Sequence, residues 1–452
     1  MRKPLLHVLA ALLLSGCAGL DFRYLDEERS DLLRLEHKPQ YPPVRFCVFS
    51  DPHFFAPSLW RGSDGLDSHT AYKGKMFAWC EEILVETVEM VLAEGGDFLI
   101  VPGDMTKDGA VQSHEAMAAL LETIAASGMQ VFVIPGNHDI LNPHAARYSG
   151  NDVVPVDHVT PGEFAAIYAP FGYGSAIARD TASLSYLAEP VDGLWLLALD
   201  SCTYGGNLDA GRSFTDGAFC QETVDWIEEI LIDAVWQDKA VIAMLHHGAL
   251  EHYPGQEIYD DSYVIDDFEA IARMLAFYNV RVAFSGHGHA QDIAMRTWPD
   301  EGKFFFDVET GSLLTFPSPV RTVHIDRSGR ATIRSLFVED VDGFGDGGVA
   351  FGDYARSDIF RSAAHLVFHK MRQFFVGEET SMIVADQVAE AFVAFIAGDE
   401  QRPEGEIFGR DGGGLIAWLI ELKRRDYVEG LWTDTPPADN DVVIDLNSGV
   451  WN

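Results

Sequence analysis

Val44-Arg45-Phe46-Cys47-Val48-Phe49-Ser50-Asp51-Pro52-His53 is an apolar run that halts on an Asp-Pro-His stop. Apolar side chains on successive positions suit a strand buried on both faces, not one with a wet side. Similar runs recur at 97–104, 131–137, 194–200, 241–246 and 280–285. Helical periodicity fills the gaps at 73–94, 110–127, 221–236 and 267–277. Strand, helix, strand in repetition predicts an α/β layered fold. Later runs at 304–308, 320–326 and 331–338 are separated by turns and read as antiparallel strands completing a second sheet. The expected architecture is a two-sheet β-sandwich flanked by helices, spanning 44–340.

Four more polar stops close runs of this kind: Gly103-Asp104, Gly136-Asn137-His138-Asp139, His246-His247 and Gly286-His287-Gly288-His289. A site assembled from five strand ends is an active-site layout. Asp51, His53, Asp104, Asn137, His246, His287 and His289 offer two carboxylates, one amide oxygen and four imidazoles. Mixed nitrogen and oxygen donors suit Zn, Mn, Fe or Co better than Ca or Mg. Seven ligands exceed the needs of one such ion, so two divalent ions sharing a carboxylate is the economical arrangement, with Asp104 as the natural bridge. Such ions would acidify a bound water and clamp phosphoryl oxygens.

The five motifs, in this order, resemble those of the calcineurin-like metallophosphoesterase superfamily, over roughly 44–330. The resemblance implies that Asp51, His53, Asp104 and His289 hold one ion, and Asp104, Asn137, His246 and His287 the other. A metal-bridging hydroxide would be the nucleophile. It also places His138 at the substrate, with Asp139 orienting its imidazole, and makes His246, not His247, the ligand of the adjacent pair. His247 is expected to line the pocket, and His144, close behind the Asn-His-Asp segment, to reach substrate. Intervening text such as Gly103-Asp-Met-Thr-Lys-Asp-Gly and Ser183-Leu-Ser-Tyr is similar to exported bacterial members grouped with cyclic-nucleotide phosphodiesterases, some of which carry a C-terminal helical domain. Lys107 stands where the purple acid phosphatase branch would place a metal-binding tyrosine, which argues against a charge-transfer iron site.

Outside the motifs, His114, His158 and His252 read as surface residues. His69 and Tyr72 fall in a connection that reads as a solvated loop, with a lid as the alternative. From 345 to 452 helical periodicity dominates. An aromatic stripe there (Phe360, Leu366, Val367, Phe368, Met371, Phe374, Phe375) is expected to form core between helices, the alternative being a docking surface. The Asp- and Gly-rich stretch at 339–348 lacks the ligand spacing of a calcium loop and reads as a linker.

The other end carries a targeting pattern. Arg2 and Lys3 precede an apolar stretch at 5–14, too short to span a bilayer as a helix. Leu14-Ser15-Gly16-Cys17 resembles a bacterial lipobox, which implies a signal peptide at 1–16, lipid on Cys17 and a tether at 17–43. An ordinary secretory signal or an uncleaved anchor is the alternative. Ala18 is not the Asp of an inner-membrane retention signal, so an outer-membrane anchor is expected in a two-membrane host. In that oxidising setting Cys202 and Cys220 are the expected disulfide partners, and Cys47 a buried thiol.

A formal charge of -38 over 452 residues argues against a nucleic-acid partner, since phosphate backbones are held by Lys and Arg. Small phosphate esters remain accessible, because local metal charge overrides a distant field. The reading is therefore a phosphoric ester hydrolase, with phosphodiesters such as cyclic nucleotides ahead of phosphomonoesters of nucleotides or other metabolites. The contrasting class is a surface ligand-binding lipoprotein whose metal site serves stability alone.

Overall fold

The computed structural model describes residues 20–25, 40–61, 72–150, 152–345, 347–404 and 424–452. The signal-peptide and Cys17 readings, most of the tether, His69 and the part of the helical reading at 405–423 lie outside these residues. In chain order the strands are β1 (Val44–Val48), β2 (Phe98–Val101), β3 (Gln130–Val133), β4 (Ala146–Ser149), β5 (Asp152–Pro155), β6 (Ala178–Arg179), β7 (Tyr186–Val191) and β8 (Leu194–Leu199). They continue as β9 (Ala240–Leu245), β10 (Val282–Ser285), β11 (Asp292–Trp298), β12 (Lys303–Glu309), β13 (Pro319–Ile325), β14 (Arg330–Phe337) and β15 (Asp441–Asp445). The main helices are α1 (Cys80–Glu94), α2 (Val111–Ala125), α3 (Gln221–Trp236), α4 (Phe268–Phe277), α5 (Phe351–Gln373) and α6 (Glu378–Ala397).

Two mixed sheets face each other, ordered β15-β14-β13-β1-β2-β3 and β11-β12-β10-β9-β8-β7-β6. β1, β2 and β3 are parallel, as are β8, β9, β10 and β12. Alternation along β8 shows how one strand serves two layers. Leu194, Leu196 and Ala198 join Phe46 and Val48 in the core between the sheets. Trp195, Leu197 and Leu199 point the other way, beneath Val224, Ile227 and Leu231 of α3 and Ile271 and Leu275 of α4. Those helical positions recur every three or four residues, so one stripe of each helix is buried. On the far side Ile83, Leu84 and Val91 of α1 and Met117 and Leu121 of α2 cover the first sheet. The layers are helix, sheet, sheet, helix, as expected.

Strand membership differs from the sequence reading. The run at 304–308 lies in β12, parallel to β10 in the second sheet, whereas β13 extends the first sheet antiparallel to β1 and β14 pairs antiparallel to β13. The helical reading of the tail holds for α5 and α6, but the chain ends differently. Val442 and Ile444 of β15 are buried as it pairs with β14, closing that sheet's edge. A short alternating segment gives too little pattern to announce itself. Part of the tether is docked too: Phe22 and Tyr24 enter the core beside α3, and Arg23 pairs with Asp225 at 2.6 Å. The aromatic stripe is split. Met371 is buried, while Leu366, Phe374 and Phe375 are exposed, so only part of it is core.

Candidate metal centre and active site

All five motifs stand at the C-terminal ends of parallel strands: Asp51 and His53 beyond β1, Asp104 beyond β2, Asn137 and His138 beyond β3, His246 at the end of β9, His287 and His289 beyond β10. Asp51, His53, Asp104, His287 and His289 all adopt positive φ, from 37° to 69°. Such turns cost a non-glycine residue of order 1–3 kcal/mol each, and they cluster where a structure aims side chains at one point. Gly136 makes that convergence possible, since a Cβ there would fall on the backbone amide and carboxylate of Asp104.

His289 Nε2 lies 3.1 Å from His53 Nε2 and 3.3 Å from Asp51 Oδ1. Asp104 Oδ2 stands 3.6 Å from both His53 Nε2 and His246 Nε2. His246 Nε2 is 3.2 Å from Asn137 Oδ1, and His287 joins Asp104 and His246 in one donor cluster. Donors bound at about 2.1 Å to one ion sit roughly 3.0–3.5 Å apart, so this spacing fits two ions with Asp104 between them.

Protonation agrees. His246 Nδ1 donates to Pro102 O at 2.8 Å and His287 Nε2 to Ser262 O at 3.1 Å, leaving the opposite nitrogens as lone pairs. Burial, reinforced by Lys75 beside His53 and by His247 beside His287, holds both imidazoles well below the ordinary histidine range. Neutral imidazole is the form that ligates. Asp51 Oδ1 is buried without a hydrogen-bond partner among the described residues. Lys75 Nζ sits 2.8 Å from His53 Nε2, a cation drawn in beside the donors. The residues present fit two divalent ions.

His138 stands beside the ligands, with a ring nitrogen within 4.8 Å of donor atoms of His53 and Asp104, but it differs from them in its bonding. Its Nδ1 donates to Lys107 O at 2.6 Å, and its side chain is 31% exposed. Burial pulls its pKa down, but Asp104 and Asp108 outweigh that and raise it. The partner expected from sequence is corrected here. Asp139 accepts from the backbone amides of Met105, Thr106 and Gly136 at 2.9–3.0 Å, tying two strand-end turns together. The carboxylate beside His138 is Asp108, 3.4 Å from its Nδ1. Asp139 has the stronger call on those amides because they surround it on three sides.

Other expectations shift as well. His247 is buried, with Nδ1 taken by Ser201 Oγ at 2.7 Å and Nε2 by Thr215 O at 2.8 Å, so it supports the centre and has no nitrogen left for substrate. His144 is exposed, its amide turned to Asn142 Oδ1. His114 and His252 are buried, not on the surface. His114 bonds Tyr168 Oη and the Asp139 carbonyl. Cys202 and Cys220 are separate thiols: the first turns inward to Pro135 O, and the second lies exposed at the start of α3. Lys107, the residue in the tyrosine position, is buried over the rings of Phe55, Phe77 and Tyr148 and pairs with Asp108. Sequence reasoning missed Lys75 and Asp108. Asp108 lies four residues past Asp104, inside a quoted motif, whereas Lys75 has no spacing signal.

A sandwich of two mixed sheets with this donor set at its strand ends defines a metal-dependent phosphoesterase of the dinuclear kind. The chain belongs to the calcineurin-like phosphoesterase family, whose model matches residues 44–291. A probable cyclic nucleotide phosphodiesterase of Rhodococcus erythropolis is 25% identical over 255 residues, covering 54% of this chain and 68% of that protein. Among solved structures, a dimetal phosphatase from Danio rerio is 14% identical with a TM-score of 0.44, over 66% of this chain and 97% of that one. A purple acid phosphatase from yellow lupin seeds is 14% identical with a TM-score of 0.43, over 66% of this chain and 52% of that one.

Proposed function

We propose that the protein is a phosphodiesterase of small substrates such as cyclic nucleotides, working outside the cytoplasm on a lipid anchor at Cys17. The observation that carries the reaction is the convergence of seven donors beside a more exposed histidine, His138, whose Nδ1 is spent on the Lys107 carbonyl. Asp51, His53, Asp104 and His289 would hold one ion, and Asp104, Asn137, His246 and His287 the other. Bound there, two divalent ions supply Lewis-acid charge to the phosphoryl oxygens and acidify water. Lys75 adds a cationic group on the same side, its pKa pulled down to about 8 by burial. His138, oriented by the Lys107 carbonyl and kept basic by Asp108, delivers a proton to the leaving oxygen. A metal site kept for stability alone would have no use for His138. Preference for a diester draws support from the Rhodococcus relative's name, and exclusion of polyanions from the charge of -38.

The Mn-loaded protein is expected to hydrolyse bis-p-nitrophenyl phosphate and 3′,5′-cyclic AMP in preference to p-nitrophenyl phosphate. Turnover unaffected by exhaustive chelation would sink the mechanism, and a preference for the monoester would move the assignment to a phosphomonoesterase. For the anchor, Cys17→Ser is expected to abolish lipid labelling and membrane fractionation; unchanged fractionation refutes it.

A further inference from the structure

The two helices of the tail do more than cap the sandwich. The amide of Gly74 donates to Ser362 Oγ of α5 at 3.1 Å, and Thr315 Oγ1 donates to the Gly74 carbonyl at 3.2 Å. Gly74 has φ +66°, and a Cβ there would run into Ile359. Tyr72 stacks on His365 with ring centroids 3.9 Å apart and planes within 7°. α5 therefore clamps the loop that carries Lys75 against the metal donors. Between tail and sandwich lies a cavity of about 440 Å³, within the range typical of small-molecule sites. One end is Lys75, Gly288 and His289; the other is Ile359 and Leu366 of α5, Phe392 and Phe395 of α6, and Tyr427.

We propose that this cavity receives the non-phosphate arm of the substrate, and that the arm is an uncharged planar aromatic group, a nucleobase being the fit. This rests on reading the centre as a phosphoester site. An ordinary packing gap between helices and sheets would close over its apolar side chains. This one is lined by His289 of the metal donors and by Lys75 beside them, and leaves Leu366 60% and Tyr72 58% exposed. Its walls are ring faces and edges: Tyr253 lies 5.2 Å from Phe395 and 6.0 Å from Tyr427, both edge-on, and Tyr263 tilts over His287 at 4.8 Å. Rings so arranged accept another ring. Asp260 lines the same cavity and disfavours an anionic arm, which leaves the phosphate to the metals and Lys75. Substrate choice is thus written where the tail meets the loop around residues 253–263, while the reaction is written in the strand ends.

Calorimetry on the Mn-loaded full chain tests this with AMP, ribose 5-phosphate and hexyl phosphate, which share a phosphate and differ in the arm. AMP is expected to bind about tenfold more tightly than ribose 5-phosphate, the yield of one or two aromatic contacts. Phe392→Ala and the exposed, fold-neutral Leu366→Ser each lower that ratio about threefold or more. A ratio near one in the native chain, or one that neither variant moves, overturns the proposal, and so does a preference for hexyl phosphate. Adenosine binding to the metal-free chain gives a readout independent of the centre, and its loss in both variants is expected. If AMP is preferred but no diester is cleaved, the activity reading fails and the cavity assignment stands; cleavage without any preference has the opposite meaning.

Discussion

Two clusters of histidine and carboxylate lie within this molecule, one at the strand ends and one buried behind them. In the rear cluster His252 Nδ1 is 2.5 Å from Asp292 Oδ1, and its Nε2 is 3.4 Å from Asp307 and 3.5 Å from Glu309. Asp307 also accepts from Ser285 Oγ and the Leu250 amide, and Glu309 from the Ala290 amide. Burial pulls His252 down, but Glu309, Asp292 and Asp307 raise it well above the ordinary range, while burial pushes the Glu309 carboxyl up to about 8. At the front, Asp51 Oδ1 and His53 Nδ1 have no hydrogen-bond partner among the described residues, and each ligand histidine with a carbonyl partner spends just one nitrogen on it. Residue types are nearly the same in both. His252 Nε2 also lacks a hydrogen-bond partner among the described residues, but it carries a proton between carboxylates, whereas the front leaves acceptor lone pairs. The closed cluster also serves the open one, because Leu250 lies just past His246-His247, after Gly248 and Ala249, and Ala290 directly follows His289.

Removing the shared ligand should break the contrast most severely. Asp104→Ala is expected to lose both ions by elemental analysis and to bring turnover to background, while circular dichroism remains native. Next comes His138→Ala, with an expected fall in kcat of about 10²–10⁴-fold and metal content unchanged. Metal lost together with activity in that variant would put His138 among the ligands. In the rear cluster His252→Leu strands three buried carboxylates, and urea unfolding is expected to report a loss of about 3–5 kcal/mol. A variant as stable as the native chain would mean that the rear carboxylates are protonated and need no cation.

Asp108 and Asp139 sharpen the same distinction at shorter range. Asp108→Asn should lower kcat about tenfold with little change in KM, since it acts through His138, and should also cost stability by leaving the buried Lys107 without its partner. Asp139→Asn should destabilise because it faces backbone amides. The motif order made the metal donors legible in sequence, since a strand end is a local event: apolar run, then stop. The two-layer sandwich was legible for the same reason. His252 was not, because its partners lie 40 or more positions away and nothing local marks a histidine as buried. The clamp of Ser362 on Gly74 joins residues 288 positions apart, so the tail's part in the site was invisible too. Asp139 was misread because adjacency in sequence is not adjacency of side chains across a tight turn.

The smallest expected effect lies where the closed cluster fails to close. Glu400 is buried beside Asp292, Asp439 and Asp434, and its Oε2 has no hydrogen-bond partner among the described residues. Burial first, then those like charges, push its carboxyl up to about 9, against 4.5 unperturbed. The folded chain therefore keeps a proton that the unfolded chain releases between those values, so unfolding is favoured as pH rises through that window. The expected result is a Tm that falls from pH 5 to pH 9, with Glu400→Gln flattening part of the slope and stabilising most at the alkaline end. Asp439, pushed up to about 8 by burial and Asp292, should account for a share of what remains. Because Asp439 accepts from the Ile293 amide of β11 and the Asp399 amide just past α6, loosening there should show as faster amide exchange in α6 before the strand-end motifs respond. A Tm that rises with pH over this range would mean that Glu400 is charged and paired, and that the rear cluster is closed after all.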